Sequence, residues 1–145
     1  MALEQLKKQL AGLKMEIYQE GFLNEQFTVL QRCQESDPGF TVEMAKLYFQ
    51  DAEVVVNDLT LLLGSETVDF SNVGELLHKL KGSSMSLGAQ RVSKVCEELQ
   101  VCSKEINKEG CLNHLQQLKE EISLLKDKLE FLFVLEKLIT TVGDN

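Results

Sequence analysis

Val73-Gly74-Glu75-Leu76-Leu77-His78-Lys79-Leu80-Lys81-Gly82-Ser83-Ser84-Met85-Ser86-Leu87-Gly88 is the stretch on which the fold turns. Wound at about 100° per residue from His78, it places Val73, Leu76, Leu80, Ser83 and Leu87 at about 220°, 160°, 200°, 140° and 180°. That is an apolar stripe opposite the imidazole, and it predicts an amphipathic helix with His78 facing water. Gly74, Gly82 and Met85 fall within about 40° of the histidine, and Lys81 lies about 60° round on the next turn. Gly88 ends the helix, since glycine readily takes the left-handed conformation just past a helix C-terminus.

Working outward, the same periodicity recurs throughout. Leu3, Leu6, Leu10, Leu13 and Ile17 predict a helix over 3–18, which Gly21 breaks. Phe22, Leu23, Phe27 and Leu30 predict a second over about 22–34. The turn Glu35-Ser36-Asp37-Pro38-Gly39 comes next, with Asp37 suited to an N-cap and Pro38 to the first helical position. The helix that follows, about 38–63, is apolar around much of its circumference, from Phe40 through Leu47 and Val54 to Leu63, and should be heavily buried. Asp69 or Ser71 caps the His78 helix. A further helix is expected over about 89–107, with Val92, Val95, Cys96, Leu99 and Cys102 inward. Gly110 marks the next break. The last helix, about 111–139, carries Leu115, Leu118, Ile122, Leu125, Leu129 and Leu132 as a heptad seam, widened by Phe131 and Phe133.

The expected fold is therefore all-α. The four helices within 38–139 have short connections and form an antiparallel up-down-up-down four-helix bundle. The two N-terminal helices, within 1–36, cover one end or side. All of 1–145 is read as one domain, a length sufficient for a real core.

The net charge of −8 disfavours nucleic acid as a partner. The charge is uneven. Residues 76–96 hold Lys79, Lys81, Arg91 and Lys94 and no acid, a segment of +4 that leaves the rest at −12 when subtracted from −8. No apolar run reaches the roughly 18 residues that span a membrane, and the start Met1-Ala2-Leu3-Glu4 is no targeting segment. The four cysteines, Cys33, Cys96, Cys102 and Cys111, show neither a C-x-x-C pair nor a histidine cluster, so free thiols in a reducing compartment are expected and no metal site.

Gly82-Ser83-Ser84 lacks the spacing of a phosphate-binding loop. Ser83 and Ser84 are expected to bond backbone carbonyls one turn earlier. His114, beside the heptad seam, is read as structural or simply exposed. His78 differs. Its flanking glycines, the nearby Lys81 and the acid-free segment suit a neutral imidazole acting as a nucleophile toward phosphorus. The resulting dianion would be stabilised by Lys81.

His78-Lys79-Leu80-Lys81-Gly82-Ser83-Ser84-Met85-Ser86-Leu87-Gly88-Ala89 resembles the motif of histidine-containing phosphotransfer (HPt) proteins of the plant type, with H-x-x-K-G-S present in full. Asp37-Pro38 followed by Phe40, Leu47-Tyr48-Phe49, Val92 to Cys96, Glu109-Gly110-Cys111 and Leu115-Gln116-Gln117-Leu118-Lys119 extend the resemblance over about residues 20–135. It implies a phosphorelay mediator. His78 would accept a phosphoryl group from a receiver-domain aspartate of a hybrid sensor histidine kinase and pass it to a response regulator, in plants within cytokinin signalling. Lys81 would support the phosphoryl group, Gly82 would give access, and Lys79, Met85 and Gly74 would belong to the docking face. No cofactor is implied on this chain, because the receiver supplies Mg²⁺. The resemblance also implies a carrier that is not an enzyme by itself, in cytoplasm and nucleus. A monomer is expected. One departure is Lys79, where plant members usually carry glutamine. Two rivals are a histidine-kinase dimerisation hairpin, which the missing downstream acid and proline oppose, and a structural coiled-coil adaptor prompted by the heptad seam.

Overall fold

The chain is described here from a computed structural model covering residues 1–143. Six α-helices and no strand make up the described residues: α1 (Ala2–Gln19), α2 (Glu25–Arg32), α3 (Phe40–Leu63), α4 (Phe70–Leu87), α5 (Gln90–Lys104) and α6 (Lys108–Gly143). A single 3-10 turn, Cys33–Glu35, follows α2. Helices α3 to α6 form a closed ring in which each packs on the next and α6 returns to α3. The connections 64–69, 88–89 and 105–107 are too short for anything but antiparallel neighbours. Outside the ring, α1 runs along α6, and α2 packs on α4 and α3. None of these helices is long and apolar enough to cross a membrane.

The expected helices are present, with instructive shifts at their ends. Phe22 and Leu23 do not begin α2. They are buried in the turn that Gly21 opens at φ +78°, and the helix starts where the Asn24 side chain accepts a hydrogen bond from the Gln26 amide at 3.0 Å. Asp37 does not cap α3. Its carbonyl accepts from the Phe40 amide at 3.0 Å, Pro38 stays in the turn, and α3 starts without a side-chain cap. Gly110 is no break either. The chain turns earlier, at Ile106 (φ +55°), and the Asn107 side chain accepts from the Gly110 amide at 3.0 Å. An asparagine acceptor there satisfies a free amide of the first turn, so α6 begins at Lys108 with Gly110 inside it. Glycine is needed at 110 for space, since a Cβ would meet Asn107 and the Cys102 sulfur.

Burial corrects the reading of α3. Thr41, Ala45, Tyr48, Ala52, Val55, Leu59 and Leu63 form its inner face, but Leu47, Val54 and Leu61 are 55%, 59% and 76% exposed. Only two ring neighbours and the short α2 flank this helix, so they cannot cover its whole circumference. Phe131 of α6 is also exposed, whereas Phe133 is half-buried against the core. In the heptad seam Leu115, Leu118, Leu125, Leu129 and Leu132 are buried as expected, but Ile122 is only half-buried and Glu121, which pairs with Arg91, is buried beside it.

Polar side chains fasten the outer elements. The Arg91 guanidinium lies 4.1 Å from the centroid of the Phe22 ring and 2.7 Å from Glu121 Oε1, joining the start of α5 to α6 and to the α1–α2 turn. Lys128 approaches the same ring at 5.0 Å and bonds Glu16 of α1 at 3.0 Å. His114 is part-buried and structural. Its Nδ1 is 2.9 Å from the Gly110 carbonyl and its Nε2 3.2 Å from Glu98, which ties α6 to α5. All four cysteines are free, with Cys33 exposed and the other three buried. Burial pushes the Cys111 thiol up to about 11, with Cys102 nearby adding to the shift.

Where α4 gives way to α5, the chain is most tightly constrained. Gly88 has φ +90°, its amide bonds the Met85 carbonyl, and the Ala89 amide bonds the Ser84 carbonyl at 2.8 Å. The Gly88 carbonyl accepts from the Asn24 amide at 3.0 Å, and a Cβ at 88 would stand 2.7 Å from the Phe27 nitrogen. Gly88→Ala should therefore lose more than about 2 kcal/mol, since the left-handed conformation alone costs roughly 1–2 kcal/mol for a residue with a Cβ. Denaturant midpoints of the two proteins check this, and an unchanged midpoint would contradict it.

Candidate functional site

The site is built on α4, and its geometry starts with the capping of that helix. The Asp69 carboxylate, not Ser71, caps it, accepting from the Asn72 amide at 3.2 Å. Val73, Leu77, Leu80, Ser84 and Leu87 are buried. Leu76 and Ser83, expected in the stripe, are half-buried. The inner face is thus centred about 40° from the expected direction, toward Leu77 and Ser84. A buried hydrogen bond sets this rotation. The Ser84 hydroxyl lies 2.7 Å from the Tyr48 hydroxyl of α3, whereas Ser83 follows expectation and donates to the Leu80 carbonyl at 3.1 Å. Burial raises the Tyr48 phenol above its ordinary range, more than the bond to Ser84 lowers it, so the group stays neutral.

His78 remains exposed after this rotation. It borders an open depression of about 670 Å³ between α4 and α5, with Gly74 and Glu75 on its own helix and Gln100, Lys104 and Ile106 beyond. Gly82 is exposed and Gly74 half-buried, and a Cβ at either would meet nothing within 4 Å. Internal packing therefore does not require glycine at these two positions. Mid-helix glycine lowers stability by roughly 0.5–1 kcal/mol relative to alanine, so the fold carries a weakness here that its own contacts do not explain.

The cations divide. Lys81 is half-buried on the α5 side of His78, with its Nζ 3.2 Å from Glu97 Oε1. Lys79 lies about 100° round the other way, exposed, and among the described residues it joins no ion pair. Lys94 is likewise without one, while Arg91 is held in the Phe22 and Glu121 contacts. The acid-free segment is thus not acid-free in space. Its flanking acids close in on it: Glu75 stands one turn before His78 by helical period, and α5 carries Glu97 against Lys81. Cys96 is buried beside them, and burial pushes its thiol up to about 12, against the lowering effect of Lys81.

Met85 is 58% exposed on the His78 face. On the neighbouring α3, Val54 and Leu47 are also exposed. With both helices rising about 1.5 Å per residue, the Tyr48–Ser84 bond sets Val54 level with His78 and Leu47 level with Met85. Glu97, Gln100 and Lys104 are site neighbours that the sequence did not identify. No local spacing links them to His78, and only helix packing brings them close.

Comparison with known proteins bears on this geometry. Residues 43–128 match the Hpt domain family. The chain is 42% identical to Histidine-containing phosphotransfer protein 1 of Arabidopsis thaliana, over 99% of this chain and 94% of that one. It is 35% identical to Pseudo histidine-containing phosphotransfer protein 2 of Oryza sativa subsp. japonica, over 93% and 90%. The crystal structure of a histidine-containing phosphotransfer protein from Medicago truncatula superposes with a TM-score of 0.91 at 37% identity, over 95% of each chain.

Because nothing in the chain occupies the space at 82, Gly82→Ala should fold normally and gain about 1 kcal/mol of stability. Thermal melting checks this. A lower melting temperature would show that the fold itself needs this glycine.

Proposed function

The chain belongs to the histidine-containing phosphotransfer family, and on that premise we propose that His78 carries a phosphoryl group between receiver-domain aspartates in a two-component phosphorelay. The observation that carries the proposal is His78 itself, exposed on α4 beside two glycines that internal packing leaves free. Family membership alone would not suffice, since the chain also matches a relative named as a pseudo form.

The chemistry follows from the exposed ring. The lone pair of a neutral ring nitrogen attacks the phosphorus of an aspartyl phosphate, the N–P bond forms, and the P–O bond to the carboxylate breaks. The ring gives up its remaining proton to solvent, and the carboxylate leaves as an anion. The reverse exchange delivers the group to a second receiver. Lys81, on the next turn, supports the charge of the phosphoryl group. Gly82 and Gly74 let a partner's active site close over the ring. Lys79 and Met85 belong to the docking face.

Partners in this reading are receiver domains of hybrid histidine kinases and of response regulators, with Mg²⁺ supplied by the receiver. The chain acts as a phosphotransfer intermediate, not as an enzyme alone. The resemblance to the plant type extends the proposal to cytokinin signalling, with a cytoplasmic and nuclear location. A monomer suits a carrier that must present one open face to successive partners.

His78→Gln should abolish labelling by a phosphorylated receiver with Mg²⁺ while leaving the helical content and melting temperature unchanged. Labelling equal to that of the wild type would sink the proposal. Lys81→Ala should slow transfer without unfolding the chain, and a large loss of thermal stability would mark Lys81 as structural instead. Gly82→Ala should transfer more slowly although it is the more stable protein. Sedimentation should return a single 16.4 kDa species.

A further inference from the structure

We propose that Glu97 competes with the phosphoryl group for Lys81, so that phosphorylation of His78 transfers Lys81 from one anion to the other. The inference rests on the reading of His78 as the phosphate acceptor. Glu97 takes no part in the chemistry. It positions Lys81.

In the unphosphorylated chain Lys81 is not idle beside the imidazole. Its Nζ is 3.2 Å from Glu97 Oε1, across the α4–α5 interface. The Lys81 side chain is 29% exposed and that of Glu97 is 58% exposed. A pair this open to water is weak, and exposed ion pairs contribute only about 0.2–1 kcal/mol. A phosphoryl group carries close to two negative charges and three acceptor oxygens. On His78 it would arise one helical turn from Lys81, where i,i+3 side chains are neighbours. The stronger anion takes the ammonium, and Glu97 is released.

The released carboxylate has a second cation within reach. Lys94 lies three residues before Glu97 on the same face of α5, and the two line one shallow depression with Met85. Among the described residues Lys94 makes no ion pair. The site therefore offers two arrangements of the same charges. In one, Lys81 holds Glu97 and Lys94 is free. In the other, Lys81 holds the phosphoryl group and Glu97 turns to Lys94. Glu97 is exposed in either arrangement, so its release strands no charge in the interior. The exchange also changes the charge pattern next to Met85, on the face a receiver would meet.

Competition lowers the equilibrium phosphorylation of His78, because the Lys81–Glu97 pair must open first. Glu97→Gln keeps the shape of the side chain and removes its charge. The phosphoryl exchange equilibrium with a phosphorylated receiver and Mg²⁺ should then shift toward phospho-His78 by roughly 1.5- to 5-fold, the equivalent of an exposed ion pair. In a Lys81→Ala background the same substitution should shift it much less. Equal shifts in both backgrounds would mean that Glu97 merely repels the phosphoryl group, and no shift in either would mean that the pair is irrelevant; each result overturns the inference and leaves His78 as acceptor. If the wild type takes up no phosphate, the acceptor reading fails and this inference with it. A second readout needs no partner protein. On phosphorylation by phosphoramidate, the Lys81 Cε and Glu97 Cδ resonances should move together in the wild type. A stationary Glu97 resonance beside a fully formed phosphohistidine would also overturn the exchange.

Discussion

The hydrogen bond between Tyr48 and Ser84 fixes how α4 sits in the bundle. It is buried, 2.7 Å long, and joins two polar groups that burial would penalise if either were left alone. An α-helix can bury any face that is apolar enough, and α4 has leucines at several azimuths. The buried hydroxyl pair selects one. Once Ser84 faces Tyr48, Leu77 and Leu80 turn inward and His78 turns out to solvent. The same bond sets the vertical register between α3 and α4, which brings Val54 and Leu47 to the level of His78 and Met85.

The second anchor is four residues further on, at the C-terminal end of α4. Gly88 takes a left-handed conformation, and its carbonyl receives the Asn24 amide. The small α2 is thereby held against the end of α4, with Phe27 buried at the point where a Cβ on residue 88 would collide. Arg91, just beyond, stacks on Phe22 and pairs with Glu121. These contacts consume the most strongly basic residue near the site. Charge available to a partner is thus less than the linear sequence suggests, and it is divided between Lys79 on one flank of His78 and the Lys81–Glu97 pair on the other.

Several features on the His78 face bring no benefit to the fold itself. Gly74 and Gly82 weaken a helix without relieving any clash. Met85 leaves an apolar side chain in water. Local rules of stability are broken together, in one place, around one nucleophilic side chain. Such a concentration points to demands made from outside the chain, here a partner surface that must approach an imidazole closely and then leave.

Much was legible in the sequence alone. Period-3.6 patterning determined the helices, Gly88 and a cap at Asp69 or Ser71 bounded α4, and the position of His78 opposite the leucines determined that it would be exposed. These properties are local, because one turn of helix fixes which residues share a face. What only the tertiary structure decided is non-local. The exact rotation of α4 depends on Tyr48, thirty-six residues away. The exposure of Leu47 and Val54 depends on which helices surround α3, and a run of apolar residues does not say how many neighbours it will find. The partner of Lys81 depends on α5, because charges sixteen residues apart in sequence meet only when two antiparallel helices bring them to the same level. Sequence determined where the histidine points, and packing determined the charges that surround it.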